Sequence, residues 1–426
     1  MTEAGDKKYI ELRRELHAHA ETGWTEFWTT ARVAGILSSL GYEVLVGKQV
    51  LNTGAIMGRP SEDAIAGHIE RAISQGADPA WIEKMAGYTG AAGILDTGRP
   101  GPVTAFRFDM DAVDVSEARD EKHRPFKEGF ASKNAGAMHS CGHDAHMTIG
   151  LALAEILMMR KDGLTGIIKL IFQPAEEGVR GGKAVAESGI LDDVDWFFGA
   201  HIGMGVPTGS ISQEAVGFLC TTKFDVTYKG RAAHAGGAPN EGKNALLAAC
   251  SASLALAGIA PHKDGPTRVN VGFMQAGTGR NVIPADAVMK VETRGSAEAI
   301  NNYVYDRAME VVRGAAEMYG VEMTLEQMGA AVDALGDKEA VDIVKAAASE
   351  SGAFGNLLPP VELGGSEDVS WMIKRVQKGG GKAAYFIIGS NIAAGHHNEY
   401  FDLDETVILP SAELMAALAE SVAKPA

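Results

Sequence analysis

The sequence predicts an α/β protein with a smaller ferredoxin-like α+β domain inserted into it. Three observations predict it. Gly166 to Phe172 (GIIKLIF) is a seven-residue run dominated by apolar residues, as in strands buried on both faces of a parallel sheet. Strand and helix patterns alternate on both sides of the middle of the chain. Between Thr221 and Gln327 the order changes to βαββαβ, the split βαβ unit of ferredoxin-like sandwiches.

The elements follow in order. Lys7 to Leu40 reads as helix, with Ile10, Leu12, Leu16, Val33, Ile36, Leu37 and Leu40 at helical spacing and Gly41 where a C-cap belongs. Tyr42 to Val46 is the first strand. Residues 59–87 are polar with a helical pattern and form an insertion between strands. Pro102 to Val115 is a strand carrying two aspartates, Asp109 and Asp111. Asp144 to Arg160 is a helix, and Asp195 to His201 is a strand that delivers a histidine at its end. In the middle segment, strands are expected at Thr221 to Tyr228, Arg268 to Met274, Ala287 to Thr293 and Val321 to Gln327. Helices at Asn244 to Gly258 and Ala299 to Tyr319 separate them. The chain closes with the strand Ala383 to Gly389 and the helix Glu405 to Val422. The expected domains are 1–216 and 330–426 for the α/β part and 217–329 for the insert.

Composition narrows the function. The chain has 426 residues, 46% hydrophobic and 22% charged, with a formal net charge of −16. Such an acidic surface repels phosphate backbones, which argues against nucleic-acid binding. An acidic substrate then needs a local cationic pocket. Three sparse cysteines, Cys141, Cys220 and Cys250, indicate no disulfide framework. The start MTEAGDKKYIELRREL has no apolar signal region, and no apolar stretch is long enough for a membrane span. A cytoplasmic location is expected, where Cys141 stays reduced.

Five places carry metal-compatible chemistry at strand ends or adjoining loops. MHSCGHDAHM holds Cys141 and His143 just before a helix, and thiolate with imidazole suits borderline-soft divalent metals. Taken alone, it also reads as a helix start capped by Asp144. QPAEEG places Glu176 and Glu177 after the buried strand, where α/β folds bind ligands. FGAHIG carries His201, GHHNEYFD carries His396 and His397, and FDMD carries Asp109 and Asp111. The residues alone leave the choice between His396 and His397 open. Together the five places point to a bound metal.

FRFDMDA, HSCGHDAH, QPAEEG, FGAHIG, GRAAHAG, GRNVIPADA and HHNEYFD occur in the order of the motifs of the M20 metallopeptidases, and the chain resembles that family's amidohydrolase branch over nearly its whole length. The resemblance implies a zinc-peptidase-like catalytic domain with a lid or dimerisation insert. It also implies two divalent metal ions, Mn or Zn, held by Cys141, His143, Glu177, His201 and His397. Glu176 matches the general base and Asp111 the aspartate that supports the site. His234 matches a histidine that helps stabilise the oxyanion. Asn281 and Arg294 match residues that grip a substrate carboxylate. Cys220 and Cys250 match no ligand position.

The implied reaction is hydrolysis of the amide bond of an N-acyl amino acid, foremost p-aminobenzoyl-glutamate or a similar aroyl- or acyl-glutamate. Indole-3-acetyl-aspartate and general N-acyl amino acids are the alternatives, and a non-catalytic metal-binding subunit is the rival of another class. The resemblance implies a homodimer or a heterodimer with a related B-type subunit.

Overall fold

The apolar run GIIKLIF becomes a strand, Ile167–Gln173, buried on both faces after its first residue, in a computed structural model that describes residues 3–423. The chain divides into two units. The first contains residues up to Val216, Ala334–Leu363 and Asp368 onward. It begins with α1 (Glu3–Ala18), α2 (Phe27–Ser39), β1 (Glu43–Val46), α3 (Glu62–Ser74), α4 (Pro79–Met85), β2 (Ala91–Asp96) and β3 (Val103–Asp109). Then come α5 (Arg124–Lys127), α6 (His143–Met159), β4 (Ile167–Gln173), α7 (Gly182–Ala186), β5 (Trp196–Ile202), β6 (Ser210–Ser212) and β7 (Ala215–Val216). The second unit supplies β8 (Cys220–Lys229), α8 (Ala245–Ala257), β9 (Thr267–Ala276), β10 (Asp286–Gly295), α9 (Glu298–Tyr319) and β11 (Glu322–Ala331). The first unit resumes with α10 (Lys338–Ser351), β12 (Asn356–Leu358), β13 (Val361–Glu362), α11 (Val369–Lys378), β14 (Lys382–Ile388) and α12 (Ile408–Val422).

The first unit is built on an eight-stranded sheet in the order β1-β2-β4-β3-β5-β14-β6-β12. Strands β4, β3, β5 and β14 are parallel, so their C-terminal ends share one edge. β2 runs antiparallel to β1 and β4, and β6 antiparallel to β14, which makes the sheet mixed rather than purely parallel. Each of the four central strands is buried beyond its first residue, which explains their apolar composition.

The expected single helix from Lys7 to Leu40 is two helices. The apolar spacing continues through the break, but residues 19–26 leave the helical path. The buried Glu21 caps α2 from this loop, accepting hydrogen bonds from Trp28 N (3.3 Å) and Thr29 N (2.8 Å). The polar insertion is likewise a helix pair. Ser61 caps α3, and Asp78 followed by Pro79 starts α4. The strand expected from Pro102 to Val115 ends at Asp109, where the chain turns so that Asp111 reaches back to the site.

The second unit contains Gly217–Asp333 and the short return Gly364–Glu367. Its sheet runs β11-β8-β10-β9, all antiparallel: the fourth strand lies beside the first, then the third, then the second. With two helices on one face, this is the ferredoxin-like arrangement. Alternate residues of β8 and β10 are buried under α8 and α9, including Phe224, Val226, Tyr228, Met289 and Val291. Among the described residues, no helix is long and apolar enough to cross a membrane.

Candidate metal centre and active site

The parallel strand ends bring the five motifs together. After β4, Pro174 and Ala175 make a tight turn, with Ala175 at φ +52°, before Glu176 and Glu177. The carboxylate of Asp111 accepts hydrogen bonds from both following amides, Glu176 N at 3.0 Å and Glu177 N at 2.9 Å. Asp111 thus fixes the backbone of the glutamate pair. His143 opens α6, preceded by Gly142 at φ +90°. A Cβ at Gly142 would lie 2.6 Å from the Ile202 side chain, so both the backbone angle and the contact require glycine. His201 is the penultimate residue of β5. The C-terminal loop carries His397 at φ +64°, a strained conformation for a histidine. Its amide donates to Ser140 O at 2.8 Å, which ties this loop to the one bearing Cys141.

Five groups of described residues have donor atoms within 4.8 Å of one another, and three of them join the expected ligands and Glu176: Cys141, His143 and His201; Cys141, Glu177 and His397; and His143, Glu176 and Glu177. Cys141 Sγ is 3.4 Å from His201 Nε2, and His397 Nε2 is 3.2 Å from Glu177 Oε1. The ring of His143 donates from Nδ1 to Asp111 O (2.8 Å), and that of His201 donates from Nδ1 to Ile202 O (2.9 Å). A carbonyl can only accept, so these bonds keep a proton on each Nδ1 and turn each Nε2 toward the cluster. His143 Nε2 is buried without a hydrogen-bond partner, which suits a ligand atom. His396 instead donates from Nε2 to Ile202 O (3.2 Å), so the geometry places His397, not His396, with Cys141 and Glu177.

The electrostatics suit a cation. Burial pulls the His143 ring down, but the Asp109 charge, the Asp111 interaction and Cys141 hold it well above its ordinary value. Hydrogen bonds to Cys141 and Glu177 push His397 up to about 10. Burial would raise Glu177, yet His397 and His143 keep it low. Burial, with Glu177 adding to it, pushes the Cys141 thiol up. Burial together with His146 and His396 keeps His201 well below its usual range, hence neutral. This is a negatively biased pocket that draws protons onto His143 and His397. A divalent cation satisfies the same field while displacing those protons, and the thiol, imidazole and carboxylate donors fit such an ion.

A second layer supports the first. His146 donates from Nδ1 to Asp109 and accepts from Ile202 N at Nε2 (2.9 Å), so both its nitrogens are engaged. Asp109 also accepts from Arg107 (2.7 Å), and Arg107 in turn donates to Gln173 (2.8 Å). Asp368 accepts from Gln173 (2.7 Å) and from the amides of Gly181 and Gly182 (3.1 and 2.6 Å). In the first turn of α6, the fully buried Asp144 pairs with Arg13 (2.8 Å) and His17 (2.7 Å). Sequence reasoning singled out neither Arg107 nor Asp368, nor the Arg13–His17 pair. For Arg107 a charge inside an apolar strand was the available signal; Asp368 lies just before α11 and had none.

His234, Asn281 and Arg294 belong to the second unit. His234 is exposed and accepts at Nδ1 from Gly237 N (2.9 Å) and Gly236 N (3.2 Å). Its Nε2 therefore carries the proton, as a donor. Asn281 is exposed on the neighbouring loop, joined to that of His234 by the Ala235 N to Asn281 O hydrogen bond (3.0 Å). Arg294 lines a cavity of about 440 Å³ with Lys223 and Lys290, but its guanidinium is already paired with Glu292 at 3.0 and 3.1 Å. Cys220 is buried beside Asp333 and belongs to none of the candidate ligand groups.

Fold and site together define a metal-dependent amidohydrolase. Residues 105–421 match the family described as Peptidase family M20/M25/M40, and the chain belongs to it. It is 51% identical to one of the subunits of the p-aminobenzoyl-glutamate hydrolase of Escherichia coli (strain K12), over 97% of this chain and 95% of that protein. It is 49% identical to the indole-3-acetyl-aspartic acid hydrolase of Enterobacter agglomerans, over 96% and 94%. Among solved structures, it is similar to the aminobenzoyl-glutamate utilization protein of Klebsiella pneumoniae, with a TM-score of 0.82 and 44% identity over 97% of this chain and 95% of that one. It is also similar to YXEP of Bacillus subtilis, described as a dinuclear metal-binding M20 peptidase, with a TM-score of 0.67 and 25% identity over 99% of each chain.

Proposed function

We propose that this enzyme hydrolyses the amide bond of an acyl amino acid with an acidic side chain, foremost p-aminobenzoyl-glutamate. The observation that carries the reading is the glutamate pair held by Asp111 beside a thiol, three imidazoles and a site edge made by parallel strand ends. Cys141, His143, Glu177, His201 and His397 are assigned to hold two divalent ions, Zn or Mn, with Cys141 and its neighbours shared between overlapping donor groups. Such ions, when bound, make water acidic and polarise a carbonyl.

The protein's own groups do the rest. Glu176, buried and next to the cluster, accepts the proton of the attacking water and returns it to the leaving amine. Asp111 holds Glu176 in place. His234 is assigned as the Nε2–H donor to the developing oxyanion, which suits its tautomer. Asn281 and Arg294 are assigned to the substrate carboxylate. The second unit then acts as a lid that completes the site, and as a dimerisation unit. Exposed Leu247 and Leu254 of α8, with Phe273 and Met274 of the edge strand β9, support a protein partner there. That partner is a second copy or a related B-type subunit, in keeping with the naming of the Escherichia coli relative as a subunit.

Indole-3-acetyl-aspartate is the second reading, since the hydrolase of that compound is nearly as similar as the first relative. A panel of p-aminobenzoyl-glutamate, indole-3-acetyl-aspartate and a neutral benzamide, scored by kcat/KM, tests the proposal. The first should lead, and Glu176→Gln should lower its turnover by roughly a thousandfold at unchanged metal content. Preference for the neutral amide, or full activity of the variant, would overturn the assignment.

A further inference from the structure

One fully buried carboxylate near the site has no part in that mechanism. Glu26 occupies the N-cap position of α2 but does not cap it; that task falls to Glu21. Its side chain bonds to groups outside its own helix. One oxygen accepts from Ala175 N at 2.8 Å, and the other accepts from the Thr89 hydroxyl at 2.7 Å. Ala175 is the residue at φ +52° immediately before the glutamate pair.

Three successive amides of this turn, those of Ala175, Glu176 and Glu177, are therefore held by two carboxylates: Glu26 takes the first and Asp111 the next two. The loop bearing Glu26 also presses on the turn. A Cβ at Gly23 would lie 3.0 Å from both Cα and Cβ of Ala175. A buried carboxyl group is costly unless it is hydrogen-bonded, and here both oxygens are. A left-handed alanine is costly too, and persists only when its surroundings impose it.

We infer that Glu26 is a positioning residue that locks the Ala175 turn, so that Glu176 and Glu177 leave it in the two directions their separate tasks require. The inference rests on the roles proposed above for those two glutamates. Burial, reinforced by the Asp111 charge, pushes Glu26 up to about 8, so glutamine matches its neutral form in shape and in charge.

The test compares Glu26→Ala, Glu26→Gln, Glu21→Gln and Glu176→Gln in the metal-loaded enzyme, with p-aminobenzoyl-glutamate as the probe. It reads kcat, KM, bound metal, Tm and amide hydrogen exchange of the segment 170–180. Glu26→Ala should lower kcat on the order of a hundredfold, with KM changed by no more than about twofold, and should speed exchange of that segment. Glu26→Gln should restore kcat, because the acceptor for Ala175 N is kept. Glu21→Gln should lower Tm and leave kcat of the folded enzyme unchanged. Should alanine leave too little folded protein, Glu26→Asp, which withdraws the acceptor by one methylene, carries the same expectation.

An unchanged kcat in Glu26→Ala overturns the inference. So does a loss that comes without faster exchange, or one that Glu21→Gln reproduces. Glu176→Gln separates this from the broader reading. It should lower turnover by roughly a thousandfold with exchange unaltered; if it stays fully active, the assigned base is wrong, and the exchange of the segment in Glu26→Ala alone decides whether Glu26 locks the turn.

Discussion

The two units hold their candidate residues in opposite ways. In the first, the donors are packed and over-constrained: His143 and His201 are held at Nδ1 by backbone carbonyls, and Asp111 secures the glutamate pair. Even His146 and Asp109, one layer out, have their hydrogen bonds placed. In the second, His234 and Asn281 are exposed on loops, and Arg294 is engaged with a neighbour of its own strand. Such rigidity suits a centre whose geometry must precede the ligand, whereas exposed polar loops suit residues that act only when substrate arrives. Substitutions of the assigned metal ligands in the first unit should therefore change metal content, and those of the assigned residues in the second only kinetics.

Cys141→Ala gives the largest expected effect. It removes a donor that belongs to two of the three groups, so bound metal should fall and turnover drop by roughly a thousandfold or more. Elemental analysis beside the assay checks this, and full metal retention would move Cys141 out of the ligand set. His234→Ala should lower kcat by roughly a hundredfold while leaving bound metal unchanged. Metal loss in that variant would erase the contrast between the units.

The pH dependence of metal binding comes next in size. In the metal-free protein His397 keeps its proton up to about 10, and the Cys141 thiol is also held up, first by burial. Binding must displace these protons, so affinity should rise as pH rises from 7 toward 9, by about tenfold or more per pH unit. Competition titrations with a chromogenic chelator at several pH values measure the slope. A flat profile would mean that neither group is a ligand.

How much of this the sequence disclosed depends on the range of the interactions. The central strands and the ferredoxin-like order were readable, because burial on two faces or one leaves a local pattern in GIIKLIF and in Thr221 to Tyr228. The site was visible in outline for a similar reason: parallel strands deliver their ends to one edge, so the residues after Gln173 and around His201 had to meet. The break between α1 and α2 was hidden, since apolar residues keep helical spacing on both sides of it. Glu26, Arg107 and Asp368 were hidden as well. Their partners lie 149, 66 and 195 positions away in Ala175 and, for the last two, Gln173, and no local period records such contacts.

Arg294 should give the smallest effect, for a reason visible in its surroundings. Its guanidinium already makes a two-point pair with Glu292, so a substrate carboxylate gains only the difference between two ion pairs. Both groups are partly exposed, which screens that difference further. Arg294→Gln should therefore raise KM for p-aminobenzoyl-glutamate by no more than about tenfold and leave neutral amides unaffected. Glu292→Gln isolates the competition. It removes the internal carboxylate and frees the guanidinium, so KM for the acidic substrate should fall below that of the unaltered enzyme. If Glu292→Gln raises KM as Arg294→Gln does, the pair acts as a unit that shapes the cavity, and the substrate carboxylate is bound elsewhere.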